Sequence, residues 1–166
     1  MPNHLHLLVV PELAISLRLA LGEAHRRYSS AINARERWTG HLWQDRFASF
    51  PLEGEHYTNA IRYVERNPVR ARLVAIPWDY PWSSARARVL GCPDPLLAPD
   101  SLAMQTSNWQ ELLASELLDT DLHAFRSHAR TGRPLGSDAF LQHLEAEIGR
   151  SLLPQKRGPK PKENVV

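Results

Sequence analysis

The first 35 residues change from an extended to a helical pattern of apolar positions. Residues 4–10 form a short apolar run that Pro11 closes, which predicts a strand. From Glu12 the apolar residues recur at steps of three and four, which predicts one amphipathic helix to about Arg35. The apolar stripe of this helix consists of Leu13, Leu17, Ala20, Leu21, Ala24, Tyr28 and Ile32.

The middle of the chain returns to an extended pattern before a second helix begins. Residues 41–52 are rich in aromatic and extended-type residues, which predicts one or two strands. A helix is predicted from Gly54 to about Asn67, because Pro68 disfavours helical geometry in the residue before it. Residues 83–90 are predicted to form a short helix.

The last third of the chain has a helical pattern and then a basic tail. Residues 93–99 are typical of a linker, and three helices are predicted over 109–118, 122–130 and 137–148. Gly132 and Gly149 are the expected helix stops. From Pro154 the chain has almost nothing to bury, which predicts a disordered basic tail. We therefore expect three units, at 1–92, 93–153 and 154–166.

Charge is unevenly distributed although the formal net charge is only +2. Residues 1–92 hold 12 Arg and 8 acidic residues, whereas residues 93–166 hold 8 basic and 10 acidic residues. Arginine has a planar fork that suits phosphate contacts and base stacking, so the basic half is a candidate nucleic-acid surface. A GC-rich genome would produce the same arginine bias.

The sequence gives no sign of secretion or of membrane insertion. Cys92 is the single cysteine, and no positively charged stretch followed by an apolar one begins the chain. The longest apolar runs, 7–10 and 73–76, fall far short of the roughly 20 residues that cross a bilayer. We expect a cytoplasmic protein with no membrane partner.

His4 and His6 form the first candidate for chemistry. Side chains alternate across a strand, so both imidazoles are expected on one face, as in a two-ligand metal clamp. Such a pair also arises by chance, and two ordinary surface histidines remain the alternative.

Tyr63 is the second candidate. On the predicted helix Tyr63 and Asn67 lie four residues apart and share a face, whereas Tyr57 lies roughly 240° away from Tyr63. Only one of the two tyrosines can therefore serve a given site. A half-buried core tyrosine is the alternative for Tyr63.

Four blocks of this chain, in this order and spacing, resemble the REP-associated tyrosine transposases of the HUH superfamily. The blocks are MPNHLHLLV (1–9), LWQDRF (42–47), YVERNPVRARLV (63–74) and DYPWSS (79–84). Residues 132–158 are similar to the C-terminal extension of longer members. The resemblance covers nearly the whole chain.

The resemblance implies a role for each matching residue. His4, His6 and Asn67 would bind a divalent metal ion, Mg²⁺ or Mn²⁺, and Tyr63 would be the catalytic nucleophile. Nitrogen ligands favour Mn²⁺ over Mg²⁺, but the sequence does not choose between them. The partner would be single-stranded or hairpin DNA, and a homodimer remains open. The DNA-binding residues that we expect are Arg26, Arg27, Arg46, Arg70, Arg72, Lys156, Arg157 and Lys160.

The resemblance also implies an α+β fold of the ferredoxin-like type. The HUH histidines would lie on a central strand of an antiparallel sheet, followed by a small helical extension. In the family a strand and a helix precede the MPNH motif, so we expect this chain to lack them. A misassigned start codon and a truncated gene copy are the two alternatives.

The predicted function is metal-dependent cleavage and rejoining of hairpin-forming single-stranded DNA through a 5′-phosphotyrosine. The alternative is a non-catalytic DNA-binding remnant or domesticated transposase. A metal-storage or hydrolase domain would need more clustered ligands than Cys92, His25 and His41 offer.

Overall fold

Helices are the regular elements of the protein in the computed structural model, which describes residues 3–98 and 108–152. Two short 3₁₀ helices, Gly54–His56 and Pro77–Asp79, accompany them. None of the helices in these ranges is both long and apolar enough to span a membrane. The α-helices are α1 (Ser16–Glu36), α2 (Tyr57–Glu65), α3 (Asn67–Arg70), α4 (Ala85–Leu90), α5 (Trp109–Ala114), α6 (Asp119–Thr131) and α7 (Asp138–Ile148).

The ferredoxin-like antiparallel sheet predicted from residues 4–10 and 41–52 is wrong. Within the described ranges there is no named strand, and the strand-type pairing found there is one isolated parallel bridge between Leu52 and Leu135. An apolar run reports a local preference for extended backbone, but a sheet also needs a second backbone at hydrogen-bonding distance. Residues 4–10 are irregular, with Leu5 and Leu7 about half exposed. The HUH pair therefore does not lie on a central strand.

The long helix predicted from the first apolar stripe is confirmed as α1, although it begins at Ser16 rather than Glu12. None of its residues is buried. The loop that follows packs back on it, because the Trp43 ring stacks on His25 with centroids 4.0 Å apart and also contacts Tyr28. The packing of α1 is thus largely with its own neighbouring loop.

The helix that carries Tyr63 breaks before the position that Pro68 predicts. α2 ends at Glu65, and Asn67 begins the new helix α3 with Pro68 in its first turn. Proline is well tolerated there, because the N–H that it lacks has no intrahelical partner at a helix start. Asn67 is therefore helical even though Pro68 follows it, and the predicted helix end near Asn67 lies two residues beyond the end of α2.

The helical extension is joined to α2 by side chains rather than separated from it. The Arg62 guanidinium donates to the carbonyls of Ser115 (3.1 Å) and Glu116 (2.7 Å), and Arg66 donates to that of Ala114 (2.9 Å). These carbonyls at the end of α5 have no helical partner, so the two arginines satisfy them. The predicted boundary near residue 92 stays a prediction, and the tail from Pro154 lies outside the described residues.

A small core joins the N-terminal segment to the extension. Ala60, Phe125 and Leu135 are buried together, and Leu8 and Tyr63 pack against them. Backbone hydrogen bonds from Leu135 N to Pro51 O and from Glu53 N to Leu135 O, both 2.9 Å, hold Leu135 beside residues 51–53.

The predicted helix stops are confirmed, because Gly132 and Gly149 end α6 and α7 with φ of +69° and +63°.

Candidate active site

Tyr63 lies at the meeting point of the N-terminal segment, α2, α3 and α6. Its half-buried ring contacts the edge of the His6 imidazole, with centroids 5.7 Å apart, and the Phe125 ring at 5.1 Å. The Arg70 guanidinium lies over the ring, 4.5 Å from its centroid. A phenol, an imidazole and a guanidinium are thus gathered in one place from three segments.

His4 and His6 lie beside each other even though the segment that bears them is not a strand. Their rings meet edge to face with centroids 5.0 Å apart. Nδ1 of His4 is 2.8 Å from Oδ1 of Asn3, which leaves its Nε2 for another partner. The ring contact shows that the two side chains lie together without the strand that the sequence predicted.

Asn67 is 8% exposed and is held by Arg70 from the next turn. Nη2 of Arg70 donates to the side-chain oxygen of Asn67 at 3.0 Å and lies 3.5 Å from the carbonyl oxygen of Tyr63. A carbonyl-type oxygen has two lone pairs, so this contact leaves one acceptor position on the amide. The predicted partners Tyr63 and Asn67 are therefore linked through Arg70.

The electrostatics of this region are cationic. Burial is the main reason that the pKa of His6 is lowered, and the neighbouring His4 and Arg70 act in the same direction. Burial also lowers the pKa of Arg70, with further contributions from Arg126 and Arg66, while Tyr63 acts in the opposite direction. A lowered pKa keeps the His6 imidazole neutral, which is the form that binds a metal ion.

The donor chemistry fits the predicted metal. Two adjacent imidazoles and one amide oxygen form a mixed nitrogen and oxygen set that suits Mn²⁺. Within the described ranges no group of three or more His, Cys, Asp or Glu residues could hold a metal ion. A metal at this place would therefore depend on the Asn67 amide as well as on the histidines.

Among the described residues, the ring of Tyr63 contacts His6, Phe125 and Arg70, and the other predicted DNA-binding arginines make no contact with it. Arg26 and Arg27 are exposed on α1, and both bind the Glu23 carboxylate. Arg46 and Arg72 are exposed, Arg46 in the loop that follows α1. The tail residues Lys156, Arg157 and Lys160 lie outside the described residues.

Two residues near Tyr63 were missed from the sequence. Phe125 and Arg126 belong to α6, some sixty positions further along the chain, and no local pattern connects them to Tyr63. The contact between Arg70 and Tyr63 could not be predicted from helical spacing either, because the predicted helix ends near Asn67 and Arg70 belongs to α3 rather than to α2.

Comparison with known proteins gives one match, to a family model. No curated protein and no solved structure matches the chain. The part of the chain that a family model matches contains His4, His6, Tyr63 and Asn67 and ends before the helical extension. Residues 1–67 match the model of the family described as IS200-like transposases.

Proposed function

We propose that this protein cleaves and rejoins single-stranded DNA by transesterification, with Tyr63 as the nucleophile. The observation that carries the proposal is that the Tyr63 ring contacts both the His6 imidazole and the Arg70 guanidinium. The match of residues 1–67 to IS200-like transposases supports DNA transposition as the purpose of this chemistry.

The proposed step exchanges one phosphodiester bond for another. The Tyr63 phenolic oxygen forms a bond to phosphorus while the bond from phosphorus to the 3′ oxygen breaks. The phenolic proton leaves to solvent or a nearby base, and the departing 3′ oxygen takes up a proton. The product is a 5′-phosphotyrosyl link and a free 3′-hydroxyl. Reversal of the step rejoins the strand without an external energy source.

His4, His6 and Asn67 are the residues that would hold a divalent metal ion, Mg²⁺ or Mn²⁺. When bound, the ion would polarise the scissile phosphate and stabilise charge that develops on it. Burial lowers the pKa of His6, which favours the neutral imidazole that binds metal ions, and the Arg70 hydrogen bond orients the Asn67 amide.

We further propose that the substrate is hairpin-forming single-stranded DNA. Support comes from the basic N-terminal half, in which every basic residue other than histidine is arginine. Arginines at the surface, such as Arg46 and Arg72, would contact phosphates, and the basic tail would add attraction that is independent of sequence.

The deciding experiment looks for a covalent protein–DNA adduct. The purified protein is incubated with Mn²⁺ and a labelled pool of hairpin oligonucleotides whose single-stranded flanks are randomised, and the products are separated on a denaturing gel. We expect a labelled protein band for the wild type and none for Tyr63→Phe, which loses only the phenolic oxygen. DNA binding by Tyr63→Phe should remain nearly intact.

Tyr57→Phe is the matched control, because Tyr57 begins α2 and the same atom is removed. It should form the adduct as the wild type does. Adduct formation by Tyr63→Phe would refute the assignment of the nucleophile. Binding without any adduct from the wild type would favour a DNA-binding protein without catalysis.

A further inference from the structure

We propose that Arg70 is the phosphate-binding residue of the Tyr63 site and holds the phosphodiester that Tyr63 attacks. This rests on the proposed function, and it gives Arg70 a more specific role than general attraction of DNA. The role is distinct from that of Arg26, Arg27 and Arg46, which are exposed and, within the described residues, make no contact with the Tyr63 ring.

The first step of the argument is how Arg70 is held. Its Nη2 contacts the Asn67 side-chain oxygen at 3.0 Å and the Tyr63 carbonyl at 3.5 Å, and its guanidinium carbon lies 4.5 Å from the Tyr63 ring centroid. Within the described residues, Nε and Nη1 of Arg70 donate to no acceptor. One edge of the guanidinium is therefore fixed by the protein, and the remaining donors are open to a ligand.

The second step is the missing counterion. In the described parts of the chain, Arg66 pairs with Glu116 and Arg88 pairs with Glu65, but no carboxylate pairs with Arg70. Arg70 is half-buried, so water compensates its charge only in part. A bound anion would supply the compensation that a carboxylate gives to Arg66 and Arg88.

The third step is the cationic surroundings. Arg66 and Arg126 lie close enough to Arg70 to lower its pKa, so they repel its charge. An anion placed among these groups is stabilised by all of them. Arg126 comes from α6, and its neighbour Phe125 packs on the Tyr63 ring, so the helical extension adds charge to this site.

A phosphodiester is the anion that this arrangement fits. Nη1 of Arg70 carries two N–H donors that have no acceptor within the described residues, and a charged N–H group of this kind makes short, strong hydrogen bonds to phosphate oxygens. The phosphate would lie beside the Tyr63 ring, as attack by its phenolic oxygen requires. The charge that develops on the phosphate during attack would then face a cation already in place.

The first test does not depend on catalysis. The Arg70 Nε–Hε resonance is identified in ¹⁵N–¹H spectra by its loss in Arg70→Lys and is followed during titration with inorganic phosphate, with chloride at matched ionic strength as control. We expect a saturable shift with phosphate alone, which Tyr63→Phe retains. An Arg70 resonance that responds equally to chloride, or not at all, would overturn the proposal even if the protein forms DNA adducts.

The second test measures adduct formation in a single turnover with saturating hairpin DNA and Mn²⁺. Arg70→Gln keeps a donor for Asn67 but loses the charge, and Arg70→Lys keeps the charge but loses the fork. We expect Arg70→Gln to lower the rate roughly 100-fold, as loss of a transition-state donor does. Arg70→Lys should recover only part of the lost rate. The DNA dissociation constant of either variant should change much less than the rate.

Arg86→Gln is the matched control, because Arg86 is exposed on α4 and its substitution removes the same charge. It should leave the saturated rate unchanged. A thermal melt of each variant separates a lost contact from a lost fold. An unchanged saturated rate in a folded Arg70→Gln would reduce Arg70 to an ordinary DNA contact and overturn the proposal. Absence of any adduct from the wild type would refute the proposed function, and the phosphate titration would still decide the role of Arg70.

Discussion

The Ser84 hydroxyl donates a 2.6 Å hydrogen bond to Oε1 of Glu65, which joins α4 to the helix that carries Tyr63. Nε of Arg88 donates to the same oxygen at 2.9 Å, and its guanidinium lies over the Trp109 ring. Glu65 is only 2% exposed, and its second oxygen is buried without a hydrogen-bond partner among the described residues. Burial raises the pKa of Glu65, while Ser84 and Arg88 oppose that shift. This buried contact ties α2, α4 and α5 together.

Removal of the Glu65 carboxylate should strongly destabilise the fold. Glu65→Ala leaves the Arg88 charge buried and unpaired, so we expect a loss of about 3–5 kcal/mol in the free energy of unfolding. Ser84→Ala removes one hydrogen bond from the same oxygen and should cost about 1–2 kcal/mol. Urea denaturation followed by circular dichroism measures both losses.

Glu116→Ala is the control for the Glu65 variant. Its side chain is 90% exposed and lies 3.7 Å from Arg66. An exposed ion pair contributes at most about 1 kcal/mol, so this variant should unfold nearly as the wild type does. Equal losses for Glu65→Ala and Glu116→Ala would show that the buried contact is not a main source of stability.

Glu23 should restrain the DNA affinity of α1. Its carboxylate accepts hydrogen bonds from Arg26 and Arg27, which lower its pKa to about 2. Because the folded pKa lies below the ordinary value, the paired state is present above about pH 4.5 and is lost only as pH falls toward 2. At neutral pH, Glu23→Gln should free both arginines. Tighter DNA binding is expected, with a salt dependence steeper by up to about 1.4, or roughly 0.7 for each additional phosphate that an arginine binds.

Glu36→Gln provides a charge-matched control for Glu23→Gln. Glu36 pairs with Arg35 on the same helix, and its substitution changes the net charge equally. Binding is measured by fluorescence anisotropy over a series of salt concentrations. If both variants bind DNA with the same affinity and salt dependence, Arg26 and Arg27 have no special role in DNA contact.

The helices could be predicted from the sequence because their signals are local. The apolar period of α1 and the stops at Gly132 and Gly149 depend on neighbours within a few residues. A spacing of four residues predicts the pairing of Tyr63 with Asn67. Their linkage through Arg70 agrees with it, although a helix break intervenes.

Two features could not be predicted because they depend on distant segments. One is that the described residues form no sheet, and the other is which residues surround Tyr63. Residues 4–10 have the apolar pattern of a strand, but no described backbone pairs with them as a strand. Phe125 contacts Tyr63 from α6, and the carbonyls at the end of α5 bind Arg62 and Arg66, which holds the chain before α6 against α2. Such contacts leave no periodic trace in the sequence around Tyr63.

Loss of either histidine should remove metal binding and adduct formation together. His4 and His6 lie with ring centroids 5.0 Å apart, so each alanine variant removes one of the two proposed imidazole ligands. We expect His6→Ala to weaken Mn²⁺ binding, measured by calorimetry, by more than about tenfold. Loss of a residue that only supports a metal ligand already lowers metal affinity by roughly 10-fold or more, and loss of the ligand itself should lower it further. Metal removal with EDTA should stop adduct formation by the wild type, and added Mn²⁺ should restore it. DNA affinity should change much less, because arginine contacts to phosphates dominate it. His143→Ala is the control, since His143 is exposed on α7 beside Glu147. A Mn²⁺ isotherm for His6→Ala that matches those of the wild type and His143→Ala would refute the proposed metal site.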